Sequence, residues 1–190
     1  WMGFSYGDRM LQLWGTPTVL STPPGYRIRA AFKDFYYNRH IINSFHLNEQ
    51  TIPGVLEKIE KTRPVFIRGY LSALIQIAEY IMKNDIRLSH VPHALSGTTE
   101  TLFPAYKTLI ESAFQSKLFD QYGCGECNSI AFDAGDKNGL YMVTEHCLLE
   151  ILDNRDQPVQ DEAGRFIVTN LDNYAMPFIR YENGDSGRFS

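Results

Sequence analysis

Apolar residues in the first two thirds of the chain recur alternately at helical spacing and in short strand-like stretches. Helical spacing is found near residues 52–59, 71–82 and 106–113. Short apolar stretches typical of buried strands lie at residues 11–15, 63–69, 86–94 and 117–123. The segment Thr22-Pro-Pro-Gly25 predicts a turn. This alternation of strands and helices predicts an α/β fold with a mainly parallel sheet flanked by helices.

The pattern changes after residue 138, where only short apolar strands follow one another. Turn segments such as residues 153–158 separate them. The predicted strands lie at residues 139–143, 147–152, 165–169 and 176–181. We therefore expect a smaller β-rich subdomain, a meander or barrel-like structure, and place the division so that residues 1–130 form the α/β part and residues 131–190 the β-rich part.

Composition and charge narrow the class of protein. The 190 residues carry a formal net charge of -4, and the basic residues are scattered, which argues against a nucleic-acid partner. No apolar run approaches the roughly 18 residues of a membrane span. Three cysteines, an odd number, argue against a disulfide framework, so a cytoplasmic location is the default expectation. A homodimer is left open.

The segment Asp120-Gln-Tyr-Gly-Cys-Gly-Glu126 follows a predicted strand, and ligands of open α/β sheets gather at the carboxyl ends of strands. Tyr122 offers a flat face to a base, and Gly123 lets the backbone approach a ligand closely. Glu126 has the hard oxygen ligands that suit Mg²⁺ on a triphosphate. Taken alone, the segment is more typical of a turn after a strand, with a half-buried tyrosine and a solvated glutamate.

A second candidate segment, Met176-Pro-Phe-Ile-Arg-Tyr-Glu-Asn-Gly-Asp185, reads as a strand that leads into an Asn-Gly turn. The turn presents Asp185, whose carboxylate can accept hydrogen bonds from ribose hydroxyls. Taken alone, this segment also reads as an ordinary hairpin turn with a solvated aspartate.

Together and in this order, the two segments resemble motifs of the adenylate-forming superfamily of acyl- and aryl-coenzyme A ligases. That superfamily has Tyr-Gly-x-Thr-Glu and, later, Tyr-x-x-Gly-Asp. The phenylacetate–coenzyme A ligase branch, with its CapK-like relatives, is the closer match. The likeness covers nearly the whole chain, and its supporting segments lie at residues 13–15, 61–72, 95–102 and 177–181.

The resemblance implies a fold, a reaction and roles for particular residues. A substrate carboxylate would attack the α-phosphate of ATP, and a thiol such as coenzyme A would then take the acyl group. Asp120 and Gly123 would belong to the first ATP-binding motif. In that motif Tyr122 would stack on adenine, and Glu126 would act as a catalytic residue by holding Mg²⁺. Asp185 would bind the ribose. A segment predicted to follow a strand would lie against the adenine through its backbone, and it comprises Ser96, Gly97 and Thr98 with the two residues after them.

The resemblance also implies that the chain is a piece of a longer ligase and is inactive by itself. The family's phosphate loop would precede Trp1, and its lysine-bearing domain would follow Ser190. Gly125 stands where the family usually has threonine, which is either subfamily variation or a loss of function. A non-catalytic nucleotide-binding or assembly protein of the same fold is therefore a second hypothesis.

Cys124 and Cys127 have the spacing of a metal-binding pair and support a third hypothesis, a zinc-stabilised binding module. His146 and Cys147 are the nearest further ligand types. They are adjacent in a predicted strand, so their side chains are expected to point to opposite faces, and at most one could readily join the pair.

Overall fold

The computed structural model describes residues 2–15, 24–136 and 138–189, and the chain forms two compact units. Unit 1 ends at Phe119 and unit 2 begins at Asp120, earlier in the chain than the predicted division at 130/131. The loop that follows Tyr122 packs its Cys127 into the core of unit 2, which explains why these residues group with the later strands. The predicted combination of a mainly parallel sheet with helices and a smaller β-rich part is confirmed.

Unit 1 is built on a sheet of strands covered by helices. The sheet order is β2-β1-β3-β4-β5, and β1 pairs with β2 and β3, and β3 with β4, all in parallel. The strands are β1 (Met10–Trp14), β2 (Arg39–Asn43), β3 (Phe66–Tyr70), β4 (Ala94–Thr98) and β5 (Lys117–Tyr122), whose last residues lie in unit 2. The helices are α1 (Pro24–Tyr36), α2 (Ile52–Thr62), α3 (Leu71–Lys83) and α4 (Pro104–Phe114).

The core of unit 1 lies where α2, α3 and α4 pack against the strands. Each helix buries one apolar stripe, as the spacing of its hydrophobic residues requires. Leu74 and Ile77 of α3 and Ile110 of α4 are fully buried. Helix α2 ends at Thr62 because Arg63 adopts a φ of 45°, and its N–H closes the last turn on Ile59.

The predicted strand at residues 86–94 is wrong, because the strand β4 begins only at Ala94. Residues 86–93 form a loop. The backbone N–H of Ser89 donates to the carboxylate of Glu60, and Pro92 has no N–H to donate to a neighbouring strand. Strand β4 instead contains the small polar residues that were predicted to lie after a strand. They are paired with β3 and are buried.

Helix α1 and strand β2 are not predicted by the sequence analysis. Pro24 and Gly25, assigned to a turn, are the first two residues of α1, a position where proline is tolerated because the first N–H groups of a helix have no partner. Thr22 and Pro23 of the same predicted turn lie outside the described residues. The helical spacing of Ile28 and Phe32 was the available signal, although both side chains are largely exposed.

Unit 2 consists of two antiparallel groups of strands. The end of β5 pairs with β6 (Ala131–Asp133), which pairs with β7 (Leu140–Met142). A separate three-stranded meander contains β8 (Cys147–Leu152), β9 (Gly164–Asn170) and β10 (Tyr181–Gly187) in the order β10-β9-β8. Among the described residues, no helix of either unit is long and apolar enough to cross a membrane.

The predicted strand at residues 176–181 is wrong in its position, since β10 begins at Tyr181 and runs to Gly187. Pro177 lacks an N–H, and Arg180 has a φ of 50°, which extended backbone does not adopt. The N–H of Arg180 donates to the hydroxyl of Thr169 rather than to a ladder partner. The segment before Tyr181 is therefore a loop that delivers the chain to β10.

Candidate nucleotide-binding site

The loop after β5 passes close to its own backbone at Gly123. A Cβ at this position would lie 2.6 Å from the backbone nitrogen of Ser129, so only glycine fits. The close approach that Gly123 permits is thus to the chain's own loop. The N–H of Cys124 donates to the carbonyl of Cys127 and closes the turn that carries Glu126.

Asp185 lies on an irregularity of strand β10. The pairing of β10 with β9 shifts register between Glu182 and Ser186, and Gly184 has a φ of 85°. Asn183, Gly184 and Asp185 therefore form a bulge, where the sequence predicted a turn at the end of a strand. The bulge frees the Asp185 side chain, which is exposed, from the regular alternation of the strand.

The structure brings the two predicted motifs of unit 2 together. The hydroxyl of Tyr122 donates to Oδ2 of Asp185 at 2.7 Å, and the side-chain amide of Asn183 donates to the same hydroxyl at 2.7 Å. Burial and the neighbouring carboxylate raise the pKa of Tyr122, so the phenol keeps its proton at neutral pH. The ring of Phe166 meets the Tyr122 ring edge-on at 5.5 Å between centroids, which fixes its orientation.

A second contact joins the same two motifs. The hydroxyl of Tyr181 donates to Oε1 of Glu126 at 3.0 Å. The pKa of Glu126 is lowered, first by its own backbone N–H and then by the Tyr181 hydroxyl, so the carboxylate is ionised at neutral pH. Two separate hydrogen bonds, from Tyr122 to Asp185 and from Tyr181 to Glu126, thus join the two motifs within unit 2.

The remaining residue of the first motif, Asp120, lies inside β5. Its Oδ1 accepts a hydrogen bond at 2.9 Å from the N–H of the next residue, Gln121.

The predicted adenine-side segment in unit 1 lies within a strand rather than after one. Ser96 and Thr98 are almost completely buried in β4. Gly97 faces the core, since a Cβ there would lie 3.3 Å from Leu71. The accessible end of this segment is Thr99 and the residue after it, which are exposed.

A groove of about 500 Å³ opens in unit 1 beside that end, where β2, β3 and β4 finish. Ligands of parallel sheets bind at such carboxyl ends. Thr99 has a φ of 78°, a strained conformation for a β-branched residue and one that is concentrated at functional sites. The groove is lined by Ser44, Phe45, Tyr70, Ser72, Ala73, Gln76, Thr99 and Glu100.

The cysteines lie in the small core of unit 2, and all three are free thiols. Cys127 and Cys147 are buried, and burial raises the pKa of Cys127 to about 12. Among the described residues, no group of three or more His, Cys, Asp or Glu side chains is arranged to hold a metal ion. The predicted pair Cys124 and Cys127 lies in this core together with Cys147.

His146 approaches this core from outside the strand. It precedes β8, so the expected alternation of His146 with Cys147 along a strand does not apply. Its Nε2 lies 3.8 Å from the sulfur of Cys127 and 2.5 Å from the carbonyl of Asn128. Because a carbonyl only accepts, Nε2–H donates to Asn128 and is not a base for the thiol. The second ring nitrogen lies 2.7 Å from Asp172.

The fold of the chain is that of the adenylate-forming ligases. A 2-hydroxyisobutyryl-CoA ligase solved in complex with R3-HIB-AMP matches with a TM-score of 0.76 at 17% identity, over 98% of this chain and 40% of that one. An amide bond synthetase from Marinactinospora thermotolerans matches with a TM-score of 0.65 at 19% identity, over 97% of this chain and 40% of that one. The predicted resemblance to this superfamily is confirmed at the level of the fold.

One curated protein is similar to this chain in sequence. Protein CapK of Staphylococcus aureus is 28% identical to this chain over 150 residues, which are 78% of this chain and 32% of CapK. The chain therefore spans about a third of the length of that relative. No family model matches the sequence.

Three residues of the site have no role in the sequence analysis, and they are Phe166, Tyr181 and Asn183. Tyr181 and Asn183 stand inside the second motif, so their proximity to Asp185 was visible. The hydrogen-bond partners of these two side chains could not be read from the sequence, because the register of β10 and its bulge decide which side chains meet. Phe166 lies on the neighbouring strand β9 and carries no motif.

Proposed function

We propose that this chain forms the nucleoside-binding part of an ATP-dependent carboxylate ligase. The observation that carries the proposal is a pair of hydrogen bonds between the two motifs of unit 2, from Tyr122 to Asp185 and from Tyr181 to Glu126. The fold that carries them is shared with adenylate-forming ligases. Tyr122 would stack on adenine and Asp185 would accept hydrogen bonds from the ribose. The aromatic face and the exposed carboxylate are the two chemical groups that a nucleoside requires.

In the proposed reaction a substrate carboxylate oxygen attacks the α-phosphorus of ATP. The bond from that phosphorus to the bridging oxygen of the β-phosphate breaks, and pyrophosphate leaves with an acyl-adenylate remaining. An acceptor thiol, for which coenzyme A is the proposed source, then attacks the carbonyl carbon, and AMP leaves. The 2-hydroxyisobutyryl-CoA ligase solved with 2-HIB-AMP and CoA gives the precedent for both ligands on this fold.

Glu126 is the proposed protein ligand for Mg²⁺. Mg²⁺ is usually held by one or two carboxylates together with water and substrate phosphates, so a single ionised glutamate fits this ion better than it would fit zinc. One oxygen of Glu126 accepts from Tyr181, which orients the carboxylate. When bound, the ion would neutralise charge on the phosphates.

The groove of unit 1 is the proposed binding place for the carboxylic acid. Its volume of about 500 Å³ suits a small molecule, and the rings of Phe45 and Tyr70 give it apolar walls for an aryl or alkyl group. Trp14 packs against Tyr70 at 4.7 Å between centroids and supports that wall.

Exchange of radioactive pyrophosphate into ATP, measured on the full-length protein with a panel of carboxylic acids, tests this function. We expect exchange that depends on one class of acid and on Mg²⁺, and that Asp185→Ala reduces strongly. A folded protein that exchanges with none of the acids would contradict the proposal.

The variant Gly125→Thr separates the ligase from the non-catalytic alternative. A Cβ at Gly125 meets no atom within 4 Å, and its φ lies outside the left-handed region, so threonine is accommodated without strain. In a ligase the added hydroxyl would raise or preserve the exchange rate by contacting phosphate. A non-catalytic nucleotide-binding protein would bind ATP and show no exchange with either residue.

A further inference from the structure

Helix α1 turns its apolar side away from the rest of unit 1. One apolar stripe along the helix is formed by Ile28, Phe32, Phe35 and Tyr36. The three aromatic residues follow the isoleucine by four, seven and eight positions, which is the spacing of one helix face. All four residues are 69–83% exposed. A helix on the surface of a globular protein normally buries such a stripe against the core, so α1 has the reverse orientation.

The side of α1 that packs on the sheet is a polar one. Ala30 and Asp34 lie one turn apart on this side and are half-buried. The carboxylate of Asp34 accepts a hydrogen bond at 3.0 Å from Nε of Arg39, in the neighbouring strand β2. This ion pair fixes the side of α1 that contacts the sheet, and the apolar stripe therefore points away from it.

The apolar stripe is large for a protein surface. Each uncovered aromatic side chain presents about 150 Å² or more, so the four side chains together expose roughly 500 Å² of apolar area to water. Soluble proteins rarely expose a contiguous apolar patch of this size unless it is a contact surface. The stripe is therefore an interface whose partner is not among the described residues.

Two basic residues, Arg29 and Lys33, border the apolar stripe on one side. Both are exposed, and no described carboxylate forms an ion pair with either of them. Asp34, the acidic residue of α1, is turned toward β2 and already paired. A surface that fits the stripe is thus apolar and carries acidic groups at one margin.

We propose that the apolar stripe of α1 is covered by another part of the same polypeptide, outside residues 1–190, which presents an apolar surface with carboxylates facing Arg29 and Lys33. The matched region is 40% of the 2-hydroxyisobutyryl-CoA ligase and 32% of CapK, so more than half of either protein lies outside it. A polypeptide of that length can cover the stripe without a second copy or a membrane. The inference rests on the structure of unit 1 and is independent of the proposed nucleotide binding.

Hydroxyl-radical labelling of the full-length protein, read by mass spectrometry, measures how accessible the apolar stripe is. We expect its three aromatic residues to be labelled as slowly as the buried Phe114, in a sample that light scattering shows to be monomeric. Each rate is compared with that of the same residue in urea-unfolded protein, and slow labelling of Phe114 confirms that the protein is folded. Labelling of the stripe at the unfolded rate would overturn the proposal.

The variant Arg29→Glu tests the acidic margin of the covering surface. A reversed charge opposite carboxylates should raise the labelling of Phe32 and Tyr36 in the full-length protein. Arg29→Lys keeps the charge and should leave the labelling low. Equal labelling in the two variants would overturn the proposed charge complementarity.

Two other coverings of the apolar stripe have their own signatures, and either one would overturn the proposal. Protection from labelling that is found only in a dimer would assign the stripe to a second copy of the chain. Protection that requires vesicles of anionic phospholipid would assign it to a membrane surface.

Discussion

Removing the hydroxyl of Tyr122 tests whether the two motifs of unit 2 are joined as the structure shows. Tyr122→Phe deletes a donor to Asp185 and an acceptor for Asn183, while the ring and its edge-on contact with Phe166 remain. Hydrogen bonds to charged groups contribute about 1.5–3 kcal/mol. Because Asp185 is exposed and water can replace the lost donor, we expect a loss below this range, about 1 kcal/mol.

The assay must report on unit 2. Residues 120–190 contain no tryptophan, so tryptophan fluorescence does not follow this unit. Hydrogen exchange of the amides of β9 and β10 does, and a loss of about 1 kcal/mol should raise their opening rates roughly fivefold. Tyr174→Phe is the control, since Tyr174 is 87% exposed. Equal exchange in the two variants would refute the hydrogen-bonded junction.

Three further outcomes follow from buried or charged groups. Leu74→Ala should destabilise unit 1 by about 2–5 kcal/mol, measured by urea unfolding followed by tryptophan fluorescence. Met82 lies on the same helix with its side chain 54% exposed, so Met82→Ala should have little effect. Similar losses of stability in the two variants would contradict the assigned buried face of the helix. Because the pKa of Glu126 is lowered in the fold, ionised Glu126 stabilises the protein above the ordinary pKa of 4.5, and this contribution is lost as the pH falls through the lowered pKa. Tyr181→Phe removes one cause of the lowering and should raise the pKa of Glu126 in an NMR titration. An unchanged titration curve would argue against the hydrogen bond between Tyr181 and Glu126. Alkylation followed by mass spectrometry should modify the half-buried Cys124 first, and a faster reaction at either buried cysteine would show that the core of unit 2 is open.

The sequence predicted the α/β architecture because, in most helices and strands, the residues that recur at helical or strand spacing are the ones that the fold buries. Helices α2 and α3 and strand β8 lie where their hydrophobic residues placed them. It failed at β4, where Ser96, Gly97 and Thr98 look like a turn. Small polar residues can occupy a central strand when neighbours pack closely, and only the pairing with β3 reveals it.

The candidate site was predictable in its motif residues and unpredictable in its contacts. Tyr122, Glu126 and Asp185 followed from two short motifs, and the structure brings all three into one unit. The orientation of Asp185 depends on a register shift in β10, and no local pattern specifies such a bulge. Asn183 therefore looked like an ordinary turn residue until its amide was seen to join Tyr122 to Asp185.

Titration of the protein with ATP, with and without Asp185→Ala, tests the proposed nucleoside site. We expect saturable binding by the wild type and a loss of about tenfold or more in affinity for the variant, because hydrogen bonds from the ribose to a charged carboxylate disappear. Ser186→Ala, a neighbouring exposed position on the same strand, should bind as the wild type does. Undiminished ATP binding by folded Asp185→Ala, or no binding by the wild type, would contradict the proposed site.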